Sequence, residues 1–227
     1  MTARPSSTLS VIIPTLNAAD VLPACLAAQT DIREVLIVDG GSNDATANIA
    51  GKFGARMIRA SAGRGIQLDA AARTVPGKWL LFLHADTVLE SGWRQEVERF
   101  ISEPTNVQKV AVFRFSLDDA SRAARRLEAV VGWRSRVLGL PYGDQGLLIH
   151  RDFYQALGGF PPWPLMEDVD LIRRIGRRRI VMLQSAARTS AAKWRRDGWI
   201  VRSLRNLGCL ALYYLGLSPR LIQRLYG

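Results

Sequence analysis

A chain of 227 residues, 48% hydrophobic and 22% charged, has the balance of an ordinary globular protein and can bury a sizeable core. Its two cysteines, Cys25 and Cys209, lie far apart with no CxxC spacing, which excludes a disulfide scaffold and a cysteine zinc site and fits a reducing, cytoplasmic compartment. The net charge of +11 is uneven: residues 1–113 hold 11 Lys/Arg and 11 Asp/Glu, whereas residues 114–227 hold 20 and 9. The second half therefore faces phosphate, nucleic acid or a membrane surface, or is simply a solvated basic face.

The polar opening MTARPSST lacks the apolar stretch of a secretory signal. "TLSVIIPT" (8–15) reads as a strand that Pro14 ends, and 19–29 as a helix. "EVLIVDGGS" (34–42) is a second strand running into a Gly-Gly turn, with Asp44 as N-cap of a helix through about Phe53. A strand at 55–60, a helix at 65–74 and a strand at 78–86 complete a βαβαβαβ order, which predicts a parallel sheet with helices on both faces. The second half is less regular: a strand at 109–117, an arginine-rich helix at 119–138, a strand at 145–151 and a loop at 158–164. A helix at 166–176, a strand at 179–184 and a helix at 197–215 follow. The simplest organisation is one domain over 1–227: a ligand-binding half (8–90), a second half (91–190) and a basic, apolar helical extension (191–227).

In open parallel sheets ligands bind beyond the carboxyl ends of the strands. Three strands here deliver polar groups to that rim: Thr15 and Asn17; Asp39 with Gly40, Gly41 and Ser42; and His84 with Asp86. Carboxylates sharing a rim repel unless a cation or donors lie between them, so Asp86 is suited to hold a divalent metal that also holds a diphosphate. Each residue also has a plainer reading. Asp39 would start a turn, Asp86 would cap a helix, and His84 would be a satisfied half-buried histidine. A second cluster, "MEDVD", crowds Glu167, Asp168 and Asp170 at a helix start. One acid suffices for a cap, and crowding can raise one carboxylate towards a general base.

Taken together these segments resemble the family 2 glycosyltransferases of GT-A fold. "VIIPTLNAADVLPACLAAQ", "VLIVDGGSNDAT", "GRGIQLDAAARTVPGKWLLFLHADT" and "YGDQGLLIHRDFYQALGGFPPWPLMEDVDLIRRI" stand in the family's order over roughly residues 8–185. The His-Ala-Asp-Thr ending, "GDQG" and "KWRRDGW" look most like a small bacterial subgroup. The resemblance implies a Rossmann-like, mostly parallel twisted sheet flanked by helices. It also implies inverting transfer of a sugar from a nucleotide-diphosphate donor to an acceptor hydroxyl. Pro14, Thr15, Asn17, Asp39, Gly41, Ser42, Arg64 and Asp86 would hold the nucleotide sugar, with Asp39 accepting from the base. Asp86 would bind Mg2+ or Mn2+, with His84 as the second ligand of the motif. Asp168 would be the base, assisted by Glu167. Gln145, Arg195, Arg196 and Trp199 would meet the acceptor or the diphosphate.

Three positions depart from the pattern: His84 replaces the first acid of the metal motif, Ala18 an acid, and Asp69 an Asn. Imidazole suits Mn2+ better than Mg2+. In "KWRRDGW" (193–199), Arg195 and Arg196 would neutralise a leaving diphosphate or remain solvated; Trp199 would pack its helix or stack on a sugar. The uncharged stretch Asn206 to Pro219, 14 residues, is shorter than the roughly 20 a membrane span needs. Its helix would pack on the core, join a homodimer, or lie on the inner face of a membrane beside a lipid-linked acceptor. The rival readings are a nucleotide-sugar-binding protein without turnover, a sugar-phosphate nucleotidyltransferase and a nucleic-acid module. The nucleotidyltransferase would need a Gly-rich Arg loop after the first strand. No nucleic-acid motif is present, so no nucleic-acid partner is expected.

Overall fold

The computed structural model describes residues 8–29 and 32–226; most of the opening read as lacking a signal, residues 1–7, lies outside the described residues. β1 (Leu9–Thr15) turns Val11 and Ile13 to one face and Ile12 to the other. The same alternation places Ile37 opposite Leu36 and Val38 in β2 (Val35–Asp39), and Leu81 opposite Leu80 and Phe82 in β4 (Trp79–Phe82). One core is closed by α1 (Leu22–Ala27), α2 (Thr46–Lys52) and α4 (Trp93–Ser102), through Leu22, Cys25, Ala50, Trp93 and Val97. The other is closed by α3 (Arg64–Ala72), α6 (Arg151–Ala156) and α7 (Glu167–Ile175), through Leu68, Phe153, Leu171 and Ile172. Burying each such side chain contributes about 1.5–3 kcal/mol, so both layers are needed to hold the sheet.

The remaining strands are β3 (Arg56–Arg59), β5 (Thr87–Leu89), β6 (Val110–Leu117), β7 (Leu147–His150) and β8 (Ile180–Thr189), giving the sheet order β3-β2-β1-β4-β7-β6-β8-β5. The first four strands are parallel as expected, but β7 runs antiparallel to β4 and to β6, and β5 antiparallel to β8. The sheet is therefore mixed rather than parallel throughout.

Pro14 does not end β1. Odd-numbered residues of β1 bond to β2, as Val11 N–H to Glu34 O and Gly40 N–H to Thr15 O show. Even-numbered ones face β4, whose pairing with β1 stops at Ile12↔Phe82, so at Pro14 no ladder donor is missing. β4 in turn stops at Phe82, four residues before the expected end, because both its neighbours pair only that far. His84 to Asp86 belong to the turn that follows, closed by Thr87 N–H to His84 O at 3.1 Å, and the chain then forms β5 at the far edge.

The helix expected over 119–138 is α5 (Arg122–Trp133) followed by a π-helical turn at 134–138 that Gly139 ends at φ 66°. The helix expected over 197–215 is two, α8 (Ala192–Asp197) and α9 (Trp199–Tyr214), divided by Gly198 at φ 84°. A last helix, α10 (Pro219–Tyr226), packs on α9. Asp44 does not occupy the N-cap position of α2, which Ala45 fills, yet its carboxylate accepts from Thr46 N–H and Ala19 N–H and does the same work one residue earlier.

Candidate active site

The parallel neighbours β2, β1 and β4 bring their carboxyl ends to one rim, so Thr15, Asp39 and the His84–Asp86 turn lie along it in that order. Gln67 of α3 ties this rim together: its amide donates to Thr15 O at 3.0 Å and Val38 O at 2.7 Å.

Asp39 is 2% exposed. One carboxylate oxygen accepts from the Thr15 and Ser42 hydroxyls, and the other from Gly41 N–H at 3.0 Å and Ser42 N–H at 2.9 Å. Burial raises its pKa, but these four donors together outweigh it and hold the carboxyl below the usual range. Its accepting capacity is directed into the turn, so a base would meet the outward parts of the turn, Gly41 and Asn17, which are exposed. Asn17 is held at φ 50°; its N–H donates to Ser42 Oγ at 2.8 Å and its Oδ1 accepts from Asn43 N–H at 2.9 Å. Ala18, where the family pattern has an acid, is buried and donates to Thr46 Oγ1 at 2.9 Å. Asp69 accepts from Tyr154 OH and pairs with Arg73, which braces α3 rather than a ligand.

The second group is centred on Arg64, the first residue of α3. Its guanidinium donates to Glu167 Oε1, lies 3.2 Å from His84 Nε2 and 3.8 Å from Asp168 Oδ2. α3 comes this close to the 158–164 loop because Gly65 has no side chain: a Cβ there would lie 2.1 Å from Pro161 O. Met166, at φ 65°, turns the chain so that Glu167 and Asp168 open α7. Glu167 is fully buried; burial pushes its carboxyl up despite Arg64, and it acts on the site through that arginine.

Asp168 Oδ2 accepts from Gly143 N–H at 2.8 Å, and Oδ1 from Val169 N–H at 2.8 Å. Burial raises its pKa, but Arg64 and these N–H donors prevail, so the carboxyl is held below the usual range and stays ionised. Burial and Arg64 lower His84 to about 4, so its ring is neutral and its Nε2 accepts from Arg64. His84, Glu167, Asp168, Tyr142 and Gly143 line one pocket, walled by Phe82, Phe160 and Ile172. Asp39 and Asp86 lie on the rim outside its lining.

Among the described residues no three His, Cys, Asp or Glu side chains gather where they could hold a metal. The donor set fits a partial site. Asp86 Oδ1 is a buried carboxylate oxygen without a hydrogen-bond partner, whereas His84 Nε2 is taken by Arg64. Asp86 can therefore supply one ligand to a cation otherwise held by phosphate and water, and His84 does not complete it.

Other expected site residues lie elsewhere. Gln145 is fully buried; Ser135 Oγ donates to its Oε1 at 2.8 Å and its Nε2 donates to Phe113 O at 2.9 Å, so it braces the sheet. Arg195 pairs with Asp118 at 2.9 Å and Asp119 at 3.1 Å, and Arg196 with Asp197 at 2.7 Å; neither reaches the pocket. Trp199 packs against Phe115, Leu117 and Val131. Lys193 of that segment is exposed, and its charge is a minor contribution to lowering His84, after burial and Arg64. Asp144 joins it as an unforeseen group: burial, with Asp168 adding to it, pushes its carboxyl up to about 6 against the pull of Arg134. Both lie in motifs the sequence displays, "GDQG" and "KWRRDGW".

The model of glycosyl transferase family 2 matches residues 10–159. The chain belongs to that family. A "PGL/p-HBAD biosynthesis glycosyltransferase" of Mycobacterium bovis is 47% identical over 108 residues; the match covers 41% of this chain and 41% of that relative's length. Two solved structures share the fold. A mannosyltransferase from Pyrobaculum calidifontis in complex with GDP-Man and Mn2+ has TM-score 0.66 and 19% identity over 99% of this chain and 69% of its own. Glucosyl-3-phosphoglycerate synthase from Mycobacterium tuberculosis, in complex with phosphoglyceric acid, has TM-score 0.64 and 18% identity over 93% and 81%. The mixed eight-stranded sheet flanked by helices is thus the GT-A glycosyltransferase fold.

Proposed function

We propose that this family 2 glycosyltransferase moves a sugar from a nucleoside-diphosphate donor to an acceptor hydroxyl with inversion. The carrying observation is Asp168: an ionised carboxylate in a pocket, fixed by Gly143 N–H and Arg64, next to the rim where the nucleotide would lie. The nucleotide lies along Pro14, Thr15, Asn17, Gly41 and Ser42, on the turn that Asp39 braces. The acceptor enters the pocket, and Asp168 takes the hydroxyl proton as the oxygen bonds to the anomeric carbon. The bond from that carbon to the diphosphate breaks, its electron pair leaving on the phosphate oxygen. Mn2+ or Mg2+ held by Asp86 would supply charge neutralisation at the diphosphate when bound. Arg64 and Lys193 provide further positive charge, and Glu167 keeps Arg64 in place.

A thermal-shift screen with UDP-, GDP- and TDP-sugars, with and without Mn2+, identifies the donor. Asp168→Asn is expected to keep that shift and lose transfer by 100-fold or more, taking about 10²–10⁴ for a general base. Normal transfer by Asp168→Asn overturns the assignment of the base. A donor-induced shift with no transfer or donor hydrolysis by the wild type overturns the enzymatic reading in favour of binding without turnover.

A further inference from the structure

The helix α9 is oriented against the usual amphipathic rule. Its inward side carries Arg202, Cys209 and Tyr213, all buried. Arg202 pairs with Asp197 at 2.6 Å and stacks over Trp194, while Tyr213 accepts from Arg173 and packs with Met166 and Val169. These contacts fix the rotation of the helix and leave its apolar side outward. Ile200, Val201, Leu204, Leu207 and Leu215 are 75%, 56%, 62%, 61% and 77% exposed and fall in one stripe along the whole helix. α10, packed beside it, adds Leu221 and Leu225 at 50% and 67% exposed. An exposed apolar stripe of this kind marks an interaction site.

Charge selects the occupant. Residues 191–227 contain seven Lys/Arg and one acid, Asp197; Arg195 is met by Asp118 and Asp119, and Arg196 and Arg202 by Asp197, so the outward excess lies with the exposed Lys193, Arg205, Arg220 and Arg224. A second copy would bring an equally positive face against the first, whereas an anionic surface with an apolar interior complements both features. No helix among the described residues is long and apolar enough to cross a membrane; a helix with an exposed apolar side in an arginine-rich segment has the character of one that lies in the interface plane. We infer that α9 and α10 form a docking face for a bilayer containing anionic lipid, with the apolar stripe seated among the acyl chains and the flanking arginines on headgroup phosphates. Tyr142, which lines the pocket, packs in the same cluster as Tyr213, so the inward side of α9, opposite the apolar stripe, adjoins the pocket.

The test is co-sedimentation of the full chain with phosphatidylcholine vesicles and with vesicles containing one third phosphatidylglycerol. Binding at least tenfold stronger to the anionic vesicles, weakened by salt, is expected. Leu204→Asp/Leu207→Asp should abolish it, and Arg220→Gln/Arg224→Gln should weaken it severalfold. Circular dichroism and an unchanged nucleotide-induced thermal shift verify that both variants are folded; both sets of positions lie outside the proposed active site. Absence of binding to anionic vesicles overturns the inference. So does a wild-type dimer in solution that Leu204→Asp/Leu207→Asp splits, since a second copy then covers the stripe. Binding that persists in Leu204→Asp/Leu207→Asp also overturns it, because any polyanion would then satisfy the arginines alone.

Discussion

The backbone N–H of Gly143 donates to Asp168 Oδ2 at 2.8 Å, and the same glycine lies beneath the His84 ring, where a Cβ would come 2.7 Å from Nε2 and 3.0 Å from Asp168 Oδ2. No side chain fits there without moving the proposed base. Gly143→Ala should therefore lower kcat at least tenfold, about 1.4 kcal/mol in the barrier, while nucleotide binding on the far side of the rim stays within twofold. Titration calorimetry with the donor identified by thermal shift, alongside steady-state rates, checks the split. An unchanged kcat would show that the position of Asp168 is not critical.

Arg64 joins the elements of the site, since its side chain touches α7 through Glu167 and the turn after β4 through His84. Removing it leaves a fully buried Glu167 facing no cation. Arg64→Met should cost about 2–3 kcal/mol of stability, somewhat less than a fully buried pair because Arg64 is 30% exposed. Glu167→Gln in the Arg64→Met background should recover part of that loss, because an amide can be buried without charge. Urea unfolding of the two single variants and the double variant gives the coupling; strict additivity would mean that the pair is energetically silent.

Asp144 gives the site a pH signature. Its folded carboxyl titrates at about 6, above the unfolded 3.8, so the folded state binds more protons between those values. Its contribution is fully present below pH 3.8 and is lost as pH rises through 6. Asp144→Asn should therefore gain stability relative to the wild type on going from pH 4 to pH 8, by about 2–3 kcal/mol for a shift of this size. Taking the difference between the two proteins cancels His84, which is lowered to about 4 and acts with the opposite sign: its contribution is present above pH 6.5 and lost as pH falls towards 4. A pH-independent difference would show that Asp144 is ionised and solvated in the folded state.

The first half of the fold was legible because β1, β2 and β4 are short apolar runs buried on both faces, while β3, Arg-Met-Ile-Arg at the sheet edge, carries only two apolar residues. The rim residues Thr15, Asp39 and Ser42 followed from strand ends alone. What local sequence does not encode is pairing. The end of β4 at Phe82 is set by β7, nearly seventy positions away in the chain, and β5 is a three-residue strand whose existence depends on β8. The partners of Gln145 and Arg195 are hidden from the sequence for a related reason. A buried amide and a surface guanidinium have the same one-letter signal as ligand contacts, and only their partners Ser135, Asp118 and Asp119 distinguish them. Nothing local in "KWRRDGW" tells that the charge of Lys193, rather than that of Arg195 or Arg196, contributes to lowering His84.

That segment yields a prediction that separates the cations. Arg195 and Arg196 are half-exposed or more and each is already paired with a carboxylate. Exposed pairs contribute about 0–1 kcal/mol, so Arg195→Ala and Arg196→Ala should leave kcat within twofold and stability within about 1 kcal/mol. Lys193→Ala removes a charge that reaches His84, and with it part of the positive field at the proposed diphosphate position. It should lower kcat about fivefold to tenfold, roughly 1–1.4 kcal/mol in the barrier, and weaken nucleoside diphosphate binding, with no loss of stability. Rates and calorimetric affinities for the three alanine variants decide it. A larger defect in Arg195→Ala than in Lys193→Ala would return the diphosphate contact to the arginine and require the Asp118–Asp119 pairs to break on substrate binding.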